Sequence, residues 1–500
     1  MVKALCVAGA VLTVLTGVGA AAPGTGLSLV EAARTRDVDK VRGLLKENVD
    51  VNARGSDGGT ALLWAVHWDD LQTADLLIRA GADVNAANEY RVAPLSLACT
   101  NGSSTLVERL LSAGADPNVT GATGETPVMT CAKTGTAAAI NALVARGGDV
   151  NAAEPSLKQT ALMWATAQGH TSVVRLLIEH GADVHAATRH GFTALHFAAR
   201  EGDVESARQL LQAGVDVNIR SKPDPTLKGK GPAYESMKSA GSTPLLAATV
   251  RGQAAVAQFL LEHGADPNIG DAGFTPLHWA ASTWEGDLSN PVFGFADPMS
   301  GIPDRRAKLE LVKALLARGA DPNARMSRRA PGFAGGYAEP VGATPFFLAS
   351  SVADVAVMRL LLAAGADPFL ETESGTTPLM AAAGVNRKLA ESPVTEDQSL
   401  DAVNLLLELG ADARHVAANG ENALFGPAYR GWNRMVKLLA EKGADVNTVS
   451  KANLTPWLAA SGLGDRFGGV LFNVETAALL EKLGANTKLG KPCQAQGKCR

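Results

Sequence analysis

Beyond the first twenty-odd residues, apolar positions fall into pairs of short helical stretches that recur along the chain. The first stretch of a pair opens on Thr-Pro-Leu or Thr-Ala-Leu and runs into paired small residues, in fullest form Thr275-Pro276-Leu277-His278-Trp279-Ala280-Ala281. Its threonine hydroxyl can cap a helix, and proline at the first helical position has the right fixed φ and leaves no N–H unbonded. The small residues let that helix approach its neighbours closely. The second stretch carries apolar residues at helical spacing, as in Val173, Val174, Leu176, Leu177 and Ile178, and Gly181 is placed to end it in the left-handed conformation. An Ala-Asp-Val turn leads into the next pair.

Two landmarks fix the period. Gly-Ala-Asp, an apolar residue or proline, and then asparagine close each unit, with the last residue at Asn52 (in degenerate form), Asn85, Asn118, Asn151, His185, Asn218, Asn268, Asn323, Phe369, Arg414, Asn447 and Asn486. The first gaps are 33, 33, 33, 34 and 33 residues. The threonine landmark stands 25 residues earlier in most units, at Thr60, Thr126, Thr160, Thr193, Thr243, Thr275, Thr344, Thr377 and Thr455. One such unit cannot bury its apolar face, so stability must come from stacking. The pattern resembles the ankyrin repeat family over about residues 27–486, in twelve units. The resemblance implies an all-α fold, a solenoid of helix-turn-helix units with β-hairpin fingers, and a binding surface rather than a reaction. Arg36, Asp37, Asp39, Lys40 and Arg42 suit the first unit to a solvated cap, and a basic, cysteine-containing tail, 487–500, follows the last.

Departures from the period cluster in units seven to ten, between residues 219 and 414, which carry 17, 22, 13 and 12 extra residues. Measured against the landmarks, the insertions of seven and nine precede the first helix, and those of eight and ten separate the two helices. In the ankyrin family the former location is the finger, which with the first helices lines the concave groove where partners bind. The finger of seven contains Arg220, Lys222, Lys228, Lys230 and Lys238 against Asp224 and Glu235, with Tyr234 among them. The finger of nine contains Arg325, Arg328 and Arg329 against Glu339, with Phe333 and Tyr337. The expected partner-binding residues are therefore Lys222, Lys228, Lys230, Tyr234, Arg325, Arg328, Arg329, Phe333 and Tyr337, and the expected partner is a protein with an acidic surface. A solvated loop is the alternative for the same composition. The insertion of unit eight, Trp284 to Arg306, is aromatic enough to be expected as a packed cover.

Composition and charge narrow the classes. Aromatics are 5% of the chain and 52 of its 500 residues are glycine, which excludes one thick core and suits a long thin one. Forty-six basic against fifty acidic residues give −4, so bulk binding to nucleic acid or an anionic membrane is not indicated. Lys3, the apolar run Ala4 to Val18 and the small residues Gly19 to Ala22 read as a signal peptide over residues 1–20, hence export to a periplasm or beyond. No later stretch is apolar for the ~18 residues that a membrane span needs. In an oxidising compartment Cys493 and Cys499 are expected to close a local disulfide, whereas Cys99 and Cys131, at small-residue positions of first helices, read as buried free thiols with a disulfide as the alternative.

Chemistry-bearing motifs are missing. His196 and His278 stand where the family's imidazole ties neighbouring turns, and no His-Glu-x-x-His, Cys-x-x-Cys, nucleophile elbow or phosphate loop occurs. No catalytic residue, metal or cofactor is expected. The leading expectation is a monomeric, exported scaffold or adaptor that binds another protein through the concave face and fingers of repeats seven to nine. One rival is a small-ligand receptor or enzyme whose pocket is formed by the insertions of repeats seven to ten, walled by Trp279, Trp284, His278 and Tyr234. The other is an inhibitor or protective subunit of an exported enzyme.

Overall fold

The computed structural model describes residues 25–222, 241–282, 304–328, 341–385, 394–462 and 473–490. The signal segment, the Cys493–Cys499 pair and the packed-cover expectation for Trp284 onward lie outside them. The second repeat shows the local logic. Thr60, in extended backbone, accepts from the Leu63 N–H at 3.2 Å and starts a first helix, Ala61–His67. Asp69 turns the chain at φ 55°, and Asp70 accepts from the Thr73 N–H at 3.0 Å to start a second helix, Leu71–Arg79. Threonine caps of the same kind open the first helices at Thr126, Thr243, Thr344, Thr377 and Thr455.

The chain divides into two compact units within the fifth repeat: Met1–Ser156 with Thr160–Ala165 and Glu179–Ala182, and Leu157–Gln159 with Thr166–Ile178 and Asp183–Arg500. Among the described residues the first holds four whole helix pairs, Thr25–Arg34 with Val38–Lys46, Ala61–His67 with Leu71–Arg79, Pro94–Asn101 with Ser104–Ser112, and Pro127–Thr134 with Ala137–Ala145. Among its described residues the second holds seven, from Ala194–Glu201 with Val204–Gln212 to Pro456–Ala460 with Val474–Lys482. In both, small residues of the first helices form the innermost seam: Ala65, Ala98 and Ala132 in the first unit and Ala198, Ala248, Ala280, Ala349 and Ala382 in the second are 0–1% exposed. No helix among the described residues is long and apolar enough to cross a membrane.

Asparagines stitch successive turns together. Asn85 Nδ2 donates to the Gly114 carbonyl at 3.2 Å while its Oδ1 accepts from the Asp116 N–H at 2.8 Å. Asn52 and Asn118 repeat this in the first unit, and Asn218, Asn268 and Asn323 in the second. Phe369 and Arg414 occupy the same position and have no amide to offer, and Phe369 is left 49% exposed. Replacing Phe369 and Arg414 by Asn restores two donors and two acceptors, and is expected to raise stability by about 1–2 kcal/mol in total, read as the shift in the urea midpoint.

The fingers are shorter than full hairpins. Among the described residues only isolated antiparallel bridges are found, Ala153 with Thr160, Ala187 with Thr193 and Val416 with Asn422. The reason is the tight reversal: Thr188 N–H already donates to the Phe192 carbonyl at 2.9 Å, with Gly191 at φ 77° between them. In repeats seven and nine the pairing sits at the base of the finger. Ser221 N–H donates to Ser242 O and Gly241 N–H to Ser221 O, both at 2.8 Å. Met326 N–H donates to Ala343 O at 2.9 Å and Gly342 N–H to Met326 O at 2.8 Å. The extra residues of these repeats lie between the paired positions. Those of repeats eight and ten lie instead between first and second helices, Pro276–Ala281 and Arg305–Ala317, and Pro378–Ala382 and Glu396–Glu408.

One expectation is corrected here. Cys99 and Cys131 are joined in a disulfide with their Cα atoms 4.7 Å apart, rather than standing as free thiols. The sixth position after the capping residue Ala93 in repeat three faces the fifth after Thr126 in repeat four across the innermost seam, and cysteine occupies both.

Candidate partner-binding face

The first-helix residue four positions after the landmark position, which is threonine in most repeats, points away from the seam, and in the first unit it stays open. The series there is Glu31, Trp64, Leu97, Thr130 and Trp164, all partly or fully exposed. Glu31 is bound by Arg34 through two bonds of 2.8 Å, and that guanidinium holds its carboxyl below the ordinary carboxylate range. His67 stands edge-on to both Trp64 and Trp68, with ring centroids 5.5 and 4.7 Å away. Trp68 Nε1 donates to the Arg34 carbonyl at 3.0 Å, and Arg36 lies over its ring. Lys133 lies 4.5 Å above the ring of Trp164. Tyr90, on the adjoining finger, is 60% exposed. The result is an aromatic strip whose one carboxylate is already neutralised.

In the second unit the same series is closed over repeats eight to ten. Trp279, Leu348 and Ala381 are 2%, 1% and 0% exposed. They belong to a cluster with Leu246, Phe274, Met326, Ala343 and Phe347, in which the Phe274 and Trp279 rings lie 5.8 Å apart. Met326 and Ala343, the paired residues at the base of the ninth finger, supply apolar cover. His278 is equally buried at 1%.

Of the nine expected partner-binding residues, Lys222, Arg325 and Arg328 fall within the described residues, while Lys228, Lys230, Tyr234, Arg329, Phe333 and Tyr337 lie outside them. Lys222 is exposed at the base of the seventh finger. Arg325 donates to the Glu371 carbonyl of the tenth finger at 3.1 Å. Arg54 does the same in the second finger, reaching the Ala87 carbonyl at 2.8 Å, so this is a strut between neighbouring fingers. Arg328 donates to the carbonyls of Asp271 and Ala272 at 3.0 and 2.6 Å, and Arg220 pairs with the Asp271 carboxylate at 3.0 Å. Fingers seven and nine are thus both anchored on finger eight, and the guanidiniums of Arg325 and Arg328 face their own chain.

The open aromatic strip was not singled out from the sequence, although the signal was there: tryptophan recurs four residues after the threonine landmark at Trp64, Trp164 and Trp279. Asp271, which receives two arginines, carries no pattern that would mark it. Among the described residues no group of three or more His, Cys, Asp or Glu is arranged to hold a metal ion.

Comparison with known families agrees with this construction. The model for three consecutive ankyrin repeats matches residues 95–188, 128–221 and 226–289, and the single ankyrin repeat matches residues 57–89 and 272–327. With more than half of the chain matched and the helix pairs in register with those matches, the chain belongs to the ankyrin repeat family, whose members are protein-interaction scaffolds.

Proposed function

We propose that this chain is an exported protein-interaction scaffold whose partner seats on the open first-helix strip of its first unit, over Trp64, Leu97, Thr130 and Trp164. The observation that carries the reading is the difference between two equivalent series. Large side chains at this position are partly exposed in the first unit and buried over repeats eight to ten of the second. Half-buried tryptophans on rigid helices lose little conformational freedom on binding, which is why such residues concentrate binding energy. The partner presents an apolar centre rather than an acidic one, because the strip's cations already lie over rings or beside Glu31. Export is supported by the leader-like residues 1–20 and by the Cys99–Cys131 bond, which persists in an oxidising compartment.

The test is affinity capture from the native extracytoplasmic fraction with the full protein, a Trp64→Ala/Trp164→Ala variant, and an Arg325→Ala/Arg328→Ala variant. Each tryptophan is expected to contribute about 2 kcal/mol or more, so the first variant loses capture by at least a hundredfold while the second retains it. Capture unaffected by the tryptophan changes and lost with the arginines would return the site to fingers seven to nine.

A further inference from the structure

The Cys99–Cys131 bond crosses the seam directly beneath the open strip. Cys99 is two residues from Leu97 and Cys131 follows Thr130, and both cysteines are 0% exposed. The Thr134 hydroxyl lies 3.0 Å from the Cys99 carbonyl and 3.2 Å from the Cys131 carbonyl, so the bond, the ends of both first helices and the strip are one packed assembly. Elsewhere the corresponding seam positions hold residues such as Ala65 and Val66, or Ala198 and Ala199. We infer that the disulfide is a redox-sensitive lock on the first-helix face of repeats three and four, and that its reduction loosens that face.

Room is the reason. Unbonded heavy atoms need roughly 3.5–4.0 Å between them, a requirement that a covalent bond removes. Two thiols therefore require more space than the bond did, at a place where the Cα atoms are 4.7 Å apart and no solvent reaches. Pro94–Asn101 and Pro127–Thr134 must separate or repack to provide it, and Leu97 and Thr130 move with them. The chemistry is ordinary exchange. A dithiol reductant attacks one sulfur as its thiolate, a mixed disulfide forms, and the second thiolate of the reductant displaces the protein sulfur. Two electrons pass to the protein, both cysteines take up protons, and the reductant leaves as its own disulfide. Because the bond is buried, attack follows local opening, so the lock responds to sustained reducing conditions rather than to brief contact. Its effect on partner capture rests on the face proposed above, whereas the lock itself does not.

Full-length protein, without partner, is compared before and after dithiothreitol by amide hydrogen exchange, with peptide mapping under non-reducing conditions. A linked peptide pair carrying Cys99 and Cys131 is expected. So is exchange at least tenfold faster after reduction in residues 94–112 and 127–145, with unchanged rates in residues 345–363. The Cys99→Ala/Cys131→Ala variant, with the small residues used at other seam positions, is expected to exchange at one rate with and without dithiothreitol. Unlinked peptides, equal rates in the oxidised and reduced protein, or a response that survives in the double variant would each overturn the lock. Loss of capture in the tryptophan variants bears on the partner face alone.

Discussion

Lowering the pH from 7.5 to 5 is expected to remove about 2 kcal/mol of stability for each of His196 and His278, about 4 kcal/mol together, from repeats six to nine. Both side chains are buried, at 2% and 1% exposure, and burial pushes both imidazoles down to about 4, with carbonyl hydrogen bonds opposing the shift only in part. The geometry explains why the neutral form is wanted. His196 Nδ1 accepts from the Thr193 N–H at 3.2 Å, and Nε2 lies 2.9 Å from the Ser242 carbonyl, to which it donates. His278 Nδ1 accepts from the Thr275 N–H at 3.1 Å, and Nε2 donates toward Ala324 and Ala343 at 2.9 and 3.2 Å. A second proton would have to enter at Nδ1, where it would face the threonine N–H and deprive it of its acceptor, in a place no solvent reaches.

The sign follows from which state takes up protons. Unfolded chain binds a proton at each imidazole near pH 6.5, and the folded chain only near 4. Stability is therefore complete above about pH 6.5 and falls as pH drops between those values. Urea titrations at pH 7.5, 6.5, 5.5 and 5.0 test this above the range where most carboxylates titrate. Met129, Met163 and Met380 occupy the equivalent position in other repeats, so a His196→Met/His278→Met variant keeps the packing and should lose the slope. A slope unchanged in that variant would assign the pH dependence to other groups.

These histidines also mark how far the sequence could be read. Their position in the repeat identified them as ties between turns, and the capping threonines and the pairing of first with second helices followed from the same register. What resisted reading depends on neighbours. Trp64 and Trp279 occupy one position of the repeat, yet one is partly open and the other buried, because Phe274, Met326 and Ala343 close over the second. Nothing within the repeat containing Trp279 states what the next finger will place above it. Arg325 and Arg328 looked like free cations in a basic loop, but a long guanidinium can reach back to a carbonyl, and spacing does not say which way it turns. The first helix of repeat eleven lacked its threonine landmark because Asn422 does the work. Its Oδ1 accepts from Leu424 N–H at 3.1 Å and its Nδ2 donates to Asp445 O at 2.8 Å. Cys99 and Cys131 had the right burial in the sequence reading and the wrong chemistry, since facing positions on adjacent repeats are one residue out of register with each other.

That eleventh repeat supplies the second large effect. Gly426→Ala is expected to destabilise the protein by about 3 kcal/mol, although it replaces a helical glycine by the best helix former. Gly426 stands four residues after Asn422, where Ala247, Ala381 and Ala459 stand after their threonines, so the side chain itself is not foreign to the position. The surroundings are. A Cβ on Gly426 would lie 2.3 Å from the Ala383 carbonyl oxygen and 2.6 Å from both the Gly384 carbonyl carbon and the Val385 nitrogen. All three are backbone atoms, so no side-chain rotation relieves the contact and the helix Phe425–Arg430 must withdraw from the turn after Pro378–Ala382. Gly43 offers the opposite case. It lies within the helix Val38–Lys46, and a Cβ there meets nothing within 4 Å, so Gly43→Ala should gain about 0.5–1 kcal/mol from helix propensity alone. Urea midpoints of the two variants should therefore move in opposite directions. A Gly426→Ala variant as stable as the parent would mean that repeats ten and eleven leave room for a methyl group between their backbones.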